Sequence, residues 1–234
     1  MNYGTIGIIG AMVEEIELLH QHVDVKAESV KAGITYYEGL LYGKKVIYCK
    51  SGVGKVNAAV CTQLLAGMDV DCILFTGVAG AVDPVLQIGD IVVSSSCVQH
   101  DMDVTPLGFV RGQIPFQDNW DFQADPILVK LAQDAAEELF PGRNRVGKVL
   151  SGDQFIASRE SVNQLYEELG GACTEMEGAS VAQVCDMNRI PFVVIRSMSD
   201  KADGSAHVNF AEFTVTAANH SFRIVDHIIR HMVQ

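Results

Sequence analysis

Apolar residues along this chain fall into short continuous runs, separated by stretches that repeat with a helical period. Thr5-Ile-Gly-Ile-Ile-Gly10 reads as a buried strand with glycine at its exit. Met12 to His22 reads as a helix with Glu14, Glu15 and Glu17 in its opening turns, where carboxylates suit the helix dipole. Residues 34–41 and 45–50 pattern as a hairpin around Gly43-Lys44. Ser51-Gly-Val-Gly-Lys55 is a turn into a helix over 56–67. A strand over 71–76 leads into a turn, Gly77-Val-Ala-Gly80, and a further strand covers 90–95. Downstream come a helix over 125–139 opened by Pro126, a strand over 146–151 and a helix over 159–169. A short strand over 174–177, a helix over 178–187, a strand over 191–196 and a long helix over 210–233 complete the chain.

Strands alternating with helices predict an α/β fold: one domain over residues 1–234, with a mixed, mostly parallel central sheet and helices on both faces. Residues 100 to 125 follow neither period. A loop of that length in a compact domain is usually functional or covered by a partner. No linker, internal repeat or low-complexity segment interrupts the pattern.

Composition narrows the function. The 234 residues carry a formal net charge of −12 and no basic stripe, which argues against nucleic acid or an anionic membrane as partner. No apolar run approaches the roughly 20 residues of a membrane span. Met1-Asn-Tyr-Gly4 enters the first strand without a charged leader, so no signal peptide is expected. Six cysteines without a C-x-x-C pair read as small core residues in a reducing, cytoplasmic setting.

Ligands of α/β proteins sit at strand carboxyl ends. Two segments place acids there: Glu175-Met-Glu177, and Asp200 after Arg196-Ser-Met-Ser199. Glu175 and Glu177 alternate, so in a strand at most one faces a given pocket. Gly77-Val-Ala-Gly80 lacks the spacing of a dinucleotide fingerprint. Ser51-Gly-Val-Gly-Lys55 fails as a P-loop: position 49 is cysteine, and Val56 follows the lysine. His227 and His231 stand four apart on the last helix with no third ligand near in sequence, so a solvated face is expected there. His100 and His207 border the irregular loop and the last helix.

Taken together, Gly7-Ile-Ile-Gly-Ala-Met-Val-Glu-Glu15, Ser51-Gly-Val-Gly-Lys-Val56, Thr76-Gly-Val-Ala-Gly80, Ile88-Gly-Asp-Ile-Val92, His100-Asp-Met-Asp-Val104, Ser151-Gly-Asp-Gln-Phe-Ile156, Glu175-Met-Glu177 and Arg196-Ser-Met-Ser-Asp200 resemble the nucleoside phosphorylase superfamily. Within it, they resemble the 5′-methylthioadenosine/S-adenosylhomocysteine nucleosidases. The pieces run in family order across almost the full chain. The resemblance implies irreversible hydrolysis of the bond between adenine and a 5′-thio-substituted ribose, with no cofactor and no metal. Asp200 matches the acid that protonates adenine N7, and Glu15 matches the residue that activates water. Glu177 matches the carboxylate that grips the ribose hydroxyls, with Met176 against the ribose and Glu175 beside them in the segment. Phe155 matches the ring that stacks on adenine, and the Ile156 backbone matches its edge reader. Ser199 would support Asp200, and Arg196 would be a ribose-side or more distant partner. Met12 and Phe210 match apolar walls, and Val78, Ala79 and Gly80 match the turn beside the base. The family also implies a homodimer, in which a loop carrying Val104, Leu107 and Pro115 covers the tail of the partner's substrate.

Three departures matter. Leu107 is often aromatic in relatives, so tail preference differs. Val78 stands where many relatives have serine, which weakens a phosphate-dependent alternative. Gly10-Ala-Met-Val-Glu14 also offers no arginine to a phosphate dianion. Some relatives with Val-Ala-Gly accept aminodeoxyfutalosine, which leaves that substrate open. A phosphorylase and a non-catalytic nucleoside-binding protein are the rival readings. The second would lack one of the acids, yet Glu15, Glu177 and Asp200 are all present.

Overall fold

Ile6 and Ile8 point to one side of the first strand and Ile9 to the other, and both sides are sealed from water. That double burial, together with the continuous apolar run, makes this strand a central element covered by helices on both faces. The computed structural model describes residues 3–203 and 205–232. In chain order the elements are β1 (Thr5–Gly10), α1 (Val13–His22), β2 (Asp24–Lys31), β3 (Ile34–Leu41), β4 (Lys44–Lys50), α2 (Lys55–Ala66), β5 (Cys72–Ala81), β6 (Ile91–Gln99), β7 (Phe122–Gln123), α3 (Pro126–Leu139), β8 (Asn144–Ser151), α4 (Arg159–Leu169), β9 (Gly171–Glu175), α5 (Gly178–Asn188), β10 (Phe192–Asp200) and α6 (Ala206–Met232).

One mixed sheet holds the ten strands of the described residues. β1 lies between β4 and β5, parallel to both. β5 pairs with β10 in parallel and touches β9 in antiparallel fashion, while β6 joins β10 to β8 and β8 joins β9. The strands β5, β10, β6, β8 and β9 therefore close on themselves, and β1, β4, β3 and β2 extend the sheet outward. Helices α2 and α5 cover one face through Ala58, Cys61, Leu65, Val181 and Cys185. Helices α1, α3 and α6 cover the other through Leu19, Leu128, Ala132, Ile224 and Ile228. Pro126 opens α3, and the Asp125 carboxylate caps it, accepting from the amides of Ile127 and Leu128 at 3.0 Å each. No helix of the described residues is long and apolar enough to cross a membrane.

The structure departs from the sequence pattern in several places. β6 runs on to Gln99, past the expected end at residue 95, β7 forms inside the irregular segment, and α6 starts at Ala206 where residue 210 was expected. Four further departures bear on the site or the sheet edge. β2 was not expected: nearly all its residues are exposed, so an edge strand of this kind carries no two-residue alternation to read. Gly77-Val-Ala-Gly80 is not a turn; β5 runs through it to Ala81. A Cβ on Gly77 would lie 2.5 Å from Glu15 Oε1 and 2.8 Å from Arg196 Nη1. These glycines answer close packing of side chains from other elements, not chain reversal. The short strand β9 ends at Glu175, and Glu177 is the N-cap of α5. β10 continues to Asp200, past the expected end at Arg196. The expected end of the last helix, Val233, and the terminal Met1-Asn2 lie outside the described residues.

Candidate active site

The site lies where β1, β5, β9 and β10 end. Glu15 stands at the third position of α1, and its buried carboxylate turns back onto the β1–α1 junction. Oε2 accepts from the amides of Ala11 at 2.6 Å and Met12 at 2.9 Å, and Oε1 accepts from Val78 at 3.0 Å. The last bond ties α1 to the middle of β5, which the missing Cβ of Gly77 permits. Burial raises the Glu15 pKa, against the pull of Arg196 and the three amides.

Asp200 ends β10 and is 3 % exposed. Its Oδ2 accepts from the Ser199 hydroxyl at 2.9 Å and its Oδ1 from the Ala202 amide at 2.7 Å. Burial nevertheless raises its pKa, helped by Asp203 and opposed by those donors and by His207. A carboxyl group whose pKa is raised holds its proton to higher pH than an ordinary one, which suits it to proton donation.

Glu175 and Glu177 divide a single segment into two roles. Glu175 is gripped by four donors: Arg196 Nη2 at 2.6 Å, the Gly178 amide at 2.8 Å, the Glu177 amide at 3.2 Å and the Ser151 hydroxyl. Arg196 is itself 1 % exposed and lies 4.0 Å over the Phe75 ring. Among the described residues, Glu177 has one protein donor, the Gly54 amide, at 2.8 Å from Oε1. Burial first, then repulsion from Glu175, pushes Glu177 up to about 8, against the Gly54 amide and Arg196.

That shift predicts a stability effect. Glu177 holds its proton in the native state up to about 8, whereas in the unfolded chain it releases it near the ordinary glutamate value of 4.5. The native state binds more protons across that window, so this group lowers stability as pH rises through it. Glu177→Gln is expected to raise the melting temperature more at pH 8 than at pH 5. The expected gain is on the order of 1–2 kcal/mol at pH 8, at about 2–4 °C per kcal/mol for a chain of this size. Equal shifts at both pH values in a thermal melt would contradict it.

One cavity gathers thirteen of the expected positions: Met12, Glu15, Val78, Ala79, Gly80, Phe155, Ile156, Glu175, Met176, Glu177, Ser199, Asp200 and Phe210. Phe155 stands at its edge, 42 % exposed, stacked on His207 with ring centroids 4.9 Å apart and edge-on to Phe210 at 5.6 Å.

Residues 5–230 match the family described as the Phosphorylase superfamily. A 5′-methylthioadenosine/S-adenosylhomocysteine nucleosidase of Chromohalobacter salexigens is 39% identical over 229 residues, which is 97% of each chain. The chain belongs to this nucleosidase family. Among solved structures, the nucleosidase of Neisseria meningitidis in complex with methylthio-immucillin-A superposes with a TM-score of 0.93 at 37% identity, covering 97% of this chain and 99% of that one. The futalosine hydrolase of Helicobacter pylori superposes with a TM-score of 0.91 at 34% identity, covering 97% of each.

Against this nucleosidase frame, four expected positions fall outside the cavity of their own chain. Arg196 stands behind Glu175 and is not among the residues lining the cavity; its buried guanidinium pairs with the Glu175 carboxylate, with Glu15 and Glu177 adding further attraction. Val104, Leu107 and Pro115 lie on the irregular segment, away from this cavity, with Leu107 75 % exposed. The expectation that only one of Glu175 and Glu177 faces the pocket is also corrected. Both line it, because Glu177 has left the strand and the alternation no longer applies. Four lining residues were missed: Ala11, Val53, Gln154 and Thr174. The first three sit inside the motifs that carry the resemblance, so the motifs themselves held the signal. Thr174 immediately precedes Glu175.

Proposed function

We propose that the chain hydrolyses the N-glycosidic bond of 5′-methylthioadenosine and S-adenosylhomocysteine, releasing adenine and the 5-substituted ribose, and acts likewise on 5′-deoxyadenosine. One observation carries the choice of nucleophile: the ionisable side chains lining the cavity are all carboxylates, Glu15, Glu175, Glu177 and Asp200. The nearby cation, Arg196, is already paired with Glu175. A phosphate dianion needs cationic partners, and the described lining offers only acidic groups and no Lys, Arg or His, so water is the nucleophile that fits.

The residues then take separate tasks. Glu15, held by three amides, orients water and takes its proton, and a pKa raised by burial suits a base working near neutral pH. Asp200 gives its proton to N7, so adenine leaves neutral. Glu177 accepts from the ribose hydroxyls and faces the positive charge that grows on the sugar. That charge favours ionised Glu177 and offsets the burial that keeps it protonated beforehand. Phe155 stacks on the base, the Ile156 backbone reads its edge, and Met12, Met176 and Phe210 wall the ribose and the 5′ substituent.

The exposed Leu107 and Phe116 support a dimer in which the loop carrying Val104, Leu107 and Pro115 completes the partner's pocket. Six buried free cysteines support action in the cytoplasm, in methionine salvage and removal of methyl-cycle by-products. Likeness to a futalosine hydrolase supports aminodeoxyfutalosine as a further substrate.

Product analysis with methylthioadenosine tests the reading. Free adenine and methylthioribose are expected at equal rates with and without phosphate. A ribose 1-phosphate product, or turnover only with phosphate, would overturn it.

A further inference from the structure

Ser51-Gly-Val-Gly-Lys55 fails as a P-loop, yet Lys55 is one of the most heavily tied lysines in the chain. Its ammonium donates to Asp101 Oδ1 at 2.7 Å and to Gln99 Oε1 at 3.0 Å, and the lysine and Asp101 side chains are only 18 % and 14 % exposed. Its amide donates to Asp153 Oδ1 at 2.8 Å, and its carbonyl accepts from the Ser180 hydroxyl at 2.7 Å. Asp101 in turn accepts from the Asp153 amide at 3.0 Å, and Gln99 donates to Gln183 at 2.6 Å. One residue therefore ties together the end of β6, the segment after β8, helix α5 and the start of α2. The residue before it, Gly54, supplies the one donor to Glu177 found among the described residues. Gly54 has φ 97°, a conformation that L side chains rarely adopt, and a Cβ there would meet Asp153 Oδ1 at 3.1 Å. The turn is thus shaped by its anchors and aimed at Glu177.

We propose that Lys55 is a positioning residue for the ribose carboxylate: its ammonium bonds to Asp101 and Gln99, beside its amide bond to Asp153, hold the Gly54 amide against Glu177, and Asp101, which accepts from the Asp153 amide, sets the segment that carries Phe155. This rests on the assignment of Glu177 to the ribose. The Gly54 bond favours the ionised carboxylate, against burial and against Glu175 and Glu15, with Arg196 as its ally. Around Lys55 stand Asp101, Asp153 and the buried His100. When Lys55 is released, the amide drifts, ionised Glu177 loses its donor, and more alkaline solution is needed to ionise it.

The test compares Lys55→Met, Lys55→Arg and Asp101→Asn by kcat/KM for methylthioadenosine across pH, beside thermal melts. Lys55→Met is expected to lose roughly 10- to 100-fold in kcat/KM, in line with displacements of about 1 Å near a reacting centre. The acid limb of its profile is expected to move to higher pH. Lys55→Arg, which keeps the charge and its donors, is expected to recover part of the loss. Asp101→Asn is expected to shift the limb in the same direction, and it carries the test if Lys55→Met does not fold. A lower melting temperature with kcat/KM and the acid limb unmoved would overturn the proposal. Wild-type chain that releases no adenine at all would instead overturn the nucleosidase reading, so the two failures are distinguishable.

Discussion

Asp200→Asn is expected to reduce adenine release from methylthioadenosine by about 10²- to 10⁴-fold, the usual worth of a positioned general acid. The structure explains why the loss falls on chemistry and not on folding. Asparagine has the size of the residue it replaces, and its carbonyl oxygen can still accept from the Ala202 amide, as Asp200 Oδ1 does at 2.7 Å. It also removes a buried ionisable group, so the melting temperature is expected to hold or rise. What asparagine cannot do is release a proton to N7. A second signature follows from the raised pKa of Asp200. The working form is the protonated one, so wild-type activity falls as pH rises through that pKa, and the variant is expected to lose that limb. Near-normal turnover by Asp200→Asn in a single-turnover adenine assay would remove Asp200 from the mechanism.

Arg196→Met is expected to have the largest effect on stability. The guanidinium and the Glu175 carboxylate are both almost wholly excluded from water, at 2.6 Å from each other. Methionine would fill much of the space over the Phe75 ring but leave Glu175 buried with only hydroxyl and amide donors. Breaking a buried pair from one side costs about 3–5 kcal/mol, or roughly 6–20 °C for a chain of this length. Adding Glu175→Gln to Arg196→Met is expected to recover part of the loss, because the uncompensated charge is then gone. Equal melting temperatures for wild type and Arg196→Met would show that the pair contributes nothing.

Much of the architecture was legible in the chain. Helix α4 matches the expected bounds, and β1 and β3 do so as well. Each has a clear signal: a helical pattern between Ser158 and Gly170 for α4, an apolar run closed by glycine for β1, and the hairpin turn at Gly43-Lys44 for β3. What escaped has a physical cause. β2 has little buried surface and so no apolar register. The β5 glycines mimic a turn, because glycine serves both chain reversal and close approach, and only the side chains of Glu15, Arg196 and Asp200 reveal which applies. The site followed the same rule. Glu15, Glu177 and Asp200 stood out by motif, while Ala11, Val53 and Gln154 hid inside those motifs because small and neutral side chains announce no chemistry.

The amino-acid sequence by itself determined the family, the alternation of strands and helices, and the presence of acids at strand ends. All of these are local patterns or ordered motifs. Tertiary structure decided what each acid is. Three carboxylates of similar intrinsic acidity acquire different surroundings: three amide donors for Glu15, a hydroxyl and an amide for Asp200, and one amide among the described residues for Glu177. Glu175, two residues from Glu177, is neutralised by Arg196. Proton affinity depends on burial and on charges only a few ångströms away. Those neighbours come from distant parts of the chain and meet only when the strands assemble.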